Sequence, residues 1–285
     1  MRRSRLLRDQ WWLWAVARVP YRVVLRGLSR KRGITRRIDG EAFRWRYPFS
    51  EFDRDFEQPV QEAFWKLLRP GMTVLDIGAS FGLYSVVAGR RVGERGRVFA
   101  FEPLPRAAAA LVDHIALNGL TARVEVVPMV VTDTPGEVDL WEPARDRLAS
   151  ISKEAAITRE TAANAPPRRH AVSATSIDEF SRARGIEPDL IKIDVEGAEA
   201  SVLRGGKGFL ERGSGQLILE VHPWALAHFG ETTDGLLTDL REAGWTATKV
   251  YARGDPNDPS ATIHYICEPS TRSSPDQRSS SSARP

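Results

Sequence analysis

A short glycine-containing segment offers the clearest chemistry in this sequence. Asp76 lies near the end of the apolar stretch at residues 73–77 and is followed by Gly78 and Gly82 in the pattern D-x-G-x-x-x-G. Glycines let a backbone turn tightly and approach a ligand closely, and the helix that follows offers free N–H groups. The spacing differs from the G-x-G-x-x-G pattern of dinucleotide-binding proteins. The carboxylate before the first glycine therefore favours a ligand with a cationic group, such as an ammonium.

A second acidic residue follows the next apolar stretch. Glu102 comes directly after residues 97–101, 20 residues beyond Gly82. A carboxylate in this place can accept hydrogen bonds from both hydroxyls of a ribose. An isolated glutamate could equally be a solvated strand end, but its position relative to the glycine segment favours the ligand-binding interpretation.

Charged residues also occur in two later apolar stretches. Lys192 and Asp194 are two residues apart, so on a strand their side chains share one face, and Glu196 follows them. Buried charge is costly unless it is paired or used, so these residues form either a structural ion pair or part of a site. His222 follows residues 216–221 and is well placed there for a general base.

The elements that carry these residues alternate between strand and helix. We predict strands over residues 73–77, 97–101, 124–131, 189–195 and 216–221, two further strands over 245–251 and 262–267, and helices between them. This order predicts a parallel sheet with helices on both faces, which binds ligands at the carboxyl ends of its strands. Residues 143–173 are predicted to form a less regular insertion, either a substrate lid or a disordered surface loop.

Composition and charge limit the remaining possibilities. A chain of 285 residues with one cysteine, Cys267, excludes a disulfide framework. The net charge of +4 is uneven, because residues 1–46 hold 14 of the 41 lysines and arginines but only 3 of the 37 acidic residues. We predict a basic, helical arm over residues 1–50, one domain over 51–268 and a disordered, serine-rich tail over 269–285.

The basic arm has two open interpretations. It could lie as an amphipathic helix on an anionic membrane surface, or it could pack its tryptophans on the domain. The apolar run at residues 11–17 is too short to cross a bilayer or to serve as the core of an export signal. We therefore expect a cytoplasmic protein, with peripheral membrane contact through residues 1–40 as the alternative, and we expect the arm to be dispensable for catalysis.

Taken together, these segments resemble the FkbM family of S-adenosylmethionine-dependent methyltransferases. The resemblance rests on residues 74–82, 101–103, 189–199 and 219–222, covers about residues 56–268, and leaves out the arm and the tail. Asn118, residues 133–136 and residues 203–206 fit the same pattern. The family usually has asparagine where this chain has Ser80, and a serine can also donate and accept a hydrogen bond.

The resemblance implies a Rossmann-like class I methyltransferase fold, with a seven-stranded, mostly parallel sheet and one antiparallel strand. It implies methyl transfer from S-adenosylmethionine to oxygen, commonly to a hydroxyl of a sugar or secondary metabolite. It also implies that Glu102 holds the ribose and that Asp133 approaches the adenine. The segment that would hold the methionine end of the cofactor comprises Asp76, Gly78, Ala79, Ser80 and Gly82.

The same resemblance places the acceptor near the fourth and fifth strands. We predict Asp194, Glu196, His222 and Lys192 as the catalytic set, with Asp194 or His222 as the general base. Asp194, Glu196 and Glu220 could also supply oxygen ligands to a metal ion, but we predict a metal-independent reaction.

Three other functions are less consistent with the sequence. A nicotinamide-dependent dehydrogenase would need the three-glycine pattern. A nucleic-acid methyltransferase that uses the basic arm is disfavoured, because base N-methylation would predict an Asn/Asp-Pro-Pro-aromatic loop where residues 194–197 read D-V-E-G. We therefore consider nucleic acid an unlikely partner. Acidic residues at three strand ends argue against a binding module without catalysis.

Overall fold

The computed structural model describes residues 32–46, 57–143, 149–159, 166–255 and 261–270, together with Val24, Gly27 and Ser29. The tryptophan-rich start of the arm and residues 271–285 of the predicted tail lie outside the described residues. Among the described residues, no helix combines the length and the apolar character that crossing a bilayer requires.

Strands and helices alternate through most of the described chain. The strands are β1 (Ile34–Ile38), β2 (Glu41–Trp45), β3 (Thr73–Ile77), β4 (Arg97–Phe101), β5 (Val124–Val127), β6 (Val130–Val131), β7 (Gly136–Glu142), β8 (Arg168–Thr175), β9 (Leu190–Ile193), β10 (Gln216–Val221), β11 (Trp245–Arg253) and β12 (Thr262–Pro269). The helices are α1 (Gln58–Leu67), α2 (Leu83–Arg91), α3 (Pro105–Leu117), α4 (Lys153–Arg159), α5 (Ile177–Arg184), α6 (Glu199–Arg204), α7 (Lys207–Arg212), α8 (Pro223–Ala227) and α9 (Thr233–Glu242).

Seven of these strands form the central sheet, in the order β11-β12-β10-β9-β3-β4-β5. Neighbouring strands from β10 to β5 are parallel, whereas β12 is antiparallel to both β10 and β11. This arrangement confirms the predicted class I methyltransferase fold with its single antiparallel strand. The chain builds the sheet from β3 towards β5 and then returns to the other side of β3, so the strand order reverses between β3 and β9.

The two faces of the sheet differ in polarity near the carboxyl ends of the strands. Leu75, Ile191 and Leu219 belong to one apolar core, and Val74 and Ile218 belong to the other. Because side chains alternate along a strand, the second face also receives three buried charged residues: Asp76, its cross-strand neighbour Lys192, and Glu220.

The end of the basic arm forms a hairpin and not the predicted helix. Val24, Gly27, Ser29 and Arg32 are helical, but β1 and β2 then pair antiparallel. Residues 39–40, an Asp-Gly pair with positive φ at both positions, form the turn, as is typical of two-residue hairpins. Phe43 and Trp45 alternate with exposed residues and are fully buried in the core of the domain. This hairpin therefore belongs to the domain, contrary to the predicted boundary near residue 50.

The insertion after β5 is more regular than predicted. Pro128 divides the expected strand at residues 124–131 into β5 and β6. Because proline has no N–H for a strand ladder, pairing with β4 ends there. β6 pairs instead with β8, which also pairs with β7, and these three strands form a small separate sheet. Of the expected lid or loop at residues 143–173, residues 153–159 form helix α4 and residues 168–173 belong to strand β8 of this small sheet. The sheet packs against Leu104, just beyond β4, through Val130 and Leu140.

Candidate active site

An open cleft lies at the carboxyl ends of β3, β4 and β9, next to the reversal of strand order. Its polar lining combines residues from three of the predicted segments: Gly78, Ser80, Glu102, Asp194 and Glu196. Its apolar wall comes from the small sheet and its neighbours, with Met129, Val130, Val131, Leu140 and Ile151. The structure therefore brings the glycine segment, Glu102, and the two carboxylate residues that follow β9 to one surface.

The loop after β3 needs glycine for two reasons. Gly78 has a φ of 83°, and a Cβ atom there would lie 1.7 Å from the carbonyl oxygen of Asp194. Gly82 has a φ of 93°, and its Cβ atom would lie 2.3 Å from Leu111 Cδ1. Ser80 between them also has a positive φ of 51°. The loop thus fits closely between the end of β9 and helix α3.

Glu102 fixes this loop while its carboxylate lines the cleft. Its two oxygens accept backbone hydrogen bonds of 2.8 Å, one from Ser80 N and one from Leu104 N. Each carboxylate oxygen has a further lone pair, so both can still accept hydrogen bonds from a ligand. Burial raises the pKa of Glu102 to about 7, despite the two N–H donors that favour the charged form.

The hairpin also packs against this loop and against α3. Trp45 packs edge-on against Phe81 of the loop and against His114 of α3, with ring centroids 6.2 and 5.1 Å apart. Asn118 joins the hairpin to α3, because its side chain donates to Arg44 O and accepts from Arg44 N, both at 2.9 Å. Sequence reasoning missed this role of the arm.

Asp76 lies beneath the loop and does not line the cleft. Its carboxylate accepts a hydrogen bond from Ser85, and Oδ1 has no hydrogen-bond partner among the described residues. Burial raises its pKa, with Lys192 acting in the opposite direction. Ala79 is also buried, below the surface that Gly78 and Ser80 present.

Asp133 lies away from the cleft lining. Its carboxylate forms an ion pair of 3.4 Å with Arg204 and accepts hydrogen bonds from Thr132 and Thr134. Val130 and Val131, three and two residues earlier, line the cleft instead. The predicted contact of Asp133 with adenine stays a prediction.

Lys192 supports Asp194 from inside the protein. The Lys192 side chain is 1% exposed, its Nζ lies 2.9 Å from Asp194 Oδ2, and it stands 4.5 Å from the centroid of the Tyr84 ring. Burial opposes the charge of both groups. The attraction of Lys192 and His222 nevertheless holds the pKa of Asp194 at about 2, and Asp194 keeps that of Lys192 above its ordinary value. Asp194 therefore presents an ionised carboxylate to the cleft.

His222 stands behind the cleft among carboxylates. Its Nδ1 lies 2.8 Å from Glu199 Oε1. Its Nε2 lies 3.4 Å from Glu196 Oε2, 3.6 Å from Glu220 Oε1 and 3.9 Å from Asp194 Oδ1. Burial alone would lower the pKa of His222, but Glu196, Glu199 and Glu220 raise it to about 10. All four predicted catalytic residues thus form one cluster, of which Asp194 and Glu196 line the cleft.

Three further polar residues beside this cluster, Glu57, Tyr84 and His264, were not predicted as site residues. Glu57 precedes α1 and accepts a 3.0 Å hydrogen bond from the Tyr84 hydroxyl, and His264 lies on β12 opposite Glu220. A polar residue within an otherwise apolar strand, as at His264, is the sequence signal that could have identified one of them.

Comparison with known proteins identifies the family. The family model described as the methyltransferase FkbM domain matches residues 76–245, well over half of the chain. Ribosomal RNA large subunit methyltransferase E of Acinetobacter baumannii (strain AYE) is 49% identical over 60 residues, which are 21% of this chain and 26% of that protein. The enzyme of the same name from Stutzerimonas stutzeri (strain A1501) is 50% identical over 50 residues, 18% of this chain and 24% of that protein. The chain spans about a quarter of the length of these curated relatives.

Solved structures with a similar arrangement are distant in sequence. A methyltransferase FkbM from Methylobacillus flagellatus KT is 15% identical, with a TM-score of 0.43, over 73% of this chain and 50% of that one. A SAM-dependent O-methyltransferase from Thermotoga maritima is 14% identical, with a TM-score of 0.43, over 85% of this chain and 80% of that one.

The cleft also fits the cofactor of this family. Gly78 and Ser80 present a close backbone approach, and the Glu102 carboxylate retains acceptors for a pair of hydroxyl groups. The apolar wall beside Glu102 suits a flat ring. The matched residues 76–245 contain the glycine loop, Glu102, Asp194 and His222. This chain belongs to the FkbM family of S-adenosylmethionine-dependent methyltransferases.

Proposed function

We propose that this methyltransferase acts on a hydroxyl oxygen of a small molecule such as a sugar or secondary metabolite. The observation that carries the proposal is the placement of Asp194. Its carboxylate lines the cleft, while its Oδ2 lies 2.9 Å from Lys192 Nζ. A hydroxyl acceptor must lose a proton as its oxygen is methylated, and the ionised carboxylate of Asp194 would accept that proton from a hydroxyl bound beside it.

S-adenosylmethionine supplies a methyl group that its sulfonium sulfur already activates. The protein must hold the acceptor oxygen in line with that methyl group, and such alignment alone can contribute several kcal/mol. Gly78, Ser80 and Glu102 form one side of the cleft and Asp194 and Glu196 form the other, so the acceptor would bind between them. Glu196, with a φ of 54°, is held in a left-handed conformation that suits a positioning role.

His222 and Lys192 act through Asp194 and Glu196 in this proposal. Neither residue lines the cleft, and each lies behind a carboxylate that does. Lys192 fixes one oxygen of Asp194, and His222 faces both carboxylates while Glu199 orients its ring. Asp194 is thus the general base, and His222 and Lys192 are positioning residues.

The substitution Asp194→Asn tests this assignment. Turnover, measured as S-adenosylhomocysteine formed with a panel of glycosides and polyketide-like alcohols, should fall by about 10²–10⁴-fold. Cofactor affinity, measured by calorimetry, should change by less than about threefold, because Glu102 and the glycine loop are untouched. Asp139→Asn, at an exposed ion pair on β7, is the matched control. Near-normal turnover of Asp194→Asn would show that another group accepts the proton.

RNA is the second candidate acceptor. Both curated relatives described above are named for ribosomal RNA, which weighs against our expectation that nucleic acid is an unlikely partner. In addition, Arg37 and Arg44 are exposed on the β1–β2 hairpin, which packs against the glycine loop after β3. Transfer of radiolabelled methyl groups to RNA and to the alcohol panel would separate the candidates. RNA labelling that decreases steeply with salt and with the double substitution Arg37→Glu and Arg44→Glu would favour RNA.

Membrane contact through residues 1–40 is a separate proposal. Its support is the sequence of basic residues followed by tryptophans. Co-sedimentation with anionic liposomes should be stronger for the full chain than for a chain lacking residues 1–23, and equal sedimentation would exclude the contact.

A further inference from the structure

Glu220 joins two groups of polar side chains. Its Oε1 lies 3.6 Å from His222 Nε2, on the side of the cleft, and its Oε2 lies 3.7 Å from His264 Nδ1, on the far side. Glu57 completes the far group, in which one carboxylate oxygen from each glutamate and one nitrogen of His264 all lie within 4.8 Å of one another. Glu57, Glu220 and His264 are all buried.

The imidazole of His264 is the unusual member of this far group. Its side chain is 0% exposed, and among the described residues neither ring nitrogen has a hydrogen-bond partner. The 3.7 Å separation from Glu220 Oε2 is too long for a hydrogen bond. A buried polar group without such a partner destabilises a protein by about 1–3 kcal/mol. The His264 ring is therefore buried beside the Glu220 carboxylate without forming a hydrogen bond to it.

We propose that Glu57, Glu220 and His264 bind a divalent transition-metal ion such as Mn²⁺ or Zn²⁺. Nitrogen and oxygen ligands about 2.1 Å from a shared ion lie roughly 3.0–3.4 Å from one another. The 3.7 Å between Glu220 Oε2 and His264 Nδ1 is close to that spacing, and any pair of the three ligand atoms at the 4.8 Å limit would have to approach by more than 1 Å on binding. A mixture of imidazole and carboxylate ligands favours Mn²⁺, Fe²⁺ or Zn²⁺ over Mg²⁺.

The surroundings of the three side chains are consistent with this site. The Tyr84 hydroxyl donates a 3.0 Å hydrogen bond to Glu57 Oε2, the kind of outer contact that orients a metal-binding carboxylate. Lys192, beside the same Tyr84 ring, is engaged by Asp194. The site does not depend on the identity of the methyl acceptor, and it shares the carboxylate of Glu220 with the group around His222.

Metal titration of the full chain tests the proposal. The protein is treated with a chelator and titrated by calorimetry with MnCl₂, ZnCl₂ and MgCl₂. We expect about one equivalent of Mn²⁺ or Zn²⁺ with much weaker binding of Mg²⁺. His264→Gln should weaken the binding at least tenfold, and bound Co²⁺ should lose its imidazole-dependent visible absorption. His170→Gln, which removes a histidine paired with Glu142 on β7, is the matched control.

Two further variants, Glu57→Gln and His222→Gln, distinguish this site from the alternatives. Glu57→Gln should weaken binding like His264→Gln and serves if His264→Gln does not fold, as judged by circular dichroism. Asp194, Glu220 and His222 form an alternative set of ligand atoms within 4.8 Å of one another. Loss of binding in His222→Gln but not in His264→Gln or Glu57→Gln would overturn the assignment. Absence of stoichiometric binding by the unmodified chain at millimolar ion would also overturn it.

Discussion

His114 connects the glycine loop after β3 (residues 78–82) to the hairpin, through Phe81 of that loop. Nδ1 of His114 donates a 2.7 Å hydrogen bond to the carbonyl oxygen of Phe81, and Nε2 accepts a 3.0 Å hydrogen bond from Arg46 N. These two contacts require the neutral ring with its proton on Nδ1, in agreement with burial, which lowers the pKa of His114. One imidazole therefore connects the end of the hairpin, helix α3 and the loop between Gly78 and Gly82.

The first prediction concerns this connection. His114→Ala should lower the free energy of unfolding by about 1–3 kcal/mol, because buried partners lose their hydrogen bonds, and should weaken S-adenosylmethionine binding. Urea unfolding and calorimetry measure the two effects. A chain lacking residues 1–46 should lose cofactor affinity at least tenfold, whereas a chain lacking residues 1–23 should retain it. Full activity without residues 1–46 would restore the expectation that the arm is dispensable.

A second prediction compares two glycines. Gly78→Ala should abolish measurable cofactor binding, because its Cβ would lie 1.7 Å from Asp194 O and force the loop away from β9. Gly119→Ala is the control: its φ of 68° is also positive, but no atom lies within 4 Å of the added Cβ. It should lower stability by about 1 kcal/mol and leave cofactor binding unchanged. Equal effects would mean that the close approach to Asp194 is unimportant.

A third prediction concerns pH. Glu102 has a pKa of about 7 in the free protein, and a carboxylate must be ionised to accept two hydroxyl groups. Cofactor affinity should therefore rise by about tenfold between pH 6 and pH 8, as the ionised fraction increases. Calorimetry in buffers of different ionisation enthalpy should detect proton release on binding near pH 6. Glu102→Gln should remove the pH dependence, and an unchanged profile in this variant would refute the assignment.

A fourth prediction tests the buried ammonium. Lys192→Met should lower the free energy of unfolding by about 3–5 kcal/mol, because Asp76 and Asp194 lose their counter-charge. Adding Asp194→Asn should recover part of this loss, since it removes one of the uncompensated carboxylates. A double-mutant cycle in urea measures the coupling between the two residues. Additive effects would indicate that the 2.9 Å contact does not stabilise the fold.

The central sheet could be predicted because its signals are local. The buried strands read as short apolar runs, and the helices between them end at glycines such as Gly119 and Gly244. The hairpin was missed although Asp39-Gly40 is a turn signal, because the surrounding arginines and the tryptophans before them favoured an amphipathic helix. Its partner surface on α3 is about 74 residues away in sequence, as in the pairing of Arg44 with Asn118.

The site was predictable only where it follows strand ends. Gly78, Ser80, Glu102, Asp194 and Glu196 could be expected at one surface because the carboxyl ends of parallel strands meet at one edge, and they line one cleft. Glu57 and His264 reach the same cluster from the start of a helix and from the antiparallel strand β12, where that rule gives no indication. The burial of Asp76 beneath the loop depends on which face of β3 each side chain occupies, and the register with β9 decides this.

The position of β3 in the sheet has a consequence for synthesis on the ribosome. β3 gains its neighbour β4 after about 20 further residues, but its other neighbour, β9, begins only at Leu190. Until then the nascent chain carries a central apolar strand with one open edge, which is a template for aggregation. A product that ends near residue 143 should therefore be insoluble when expressed alone. Co-expression with residues 149–285 should rescue it, because that segment supplies the missing edge partner.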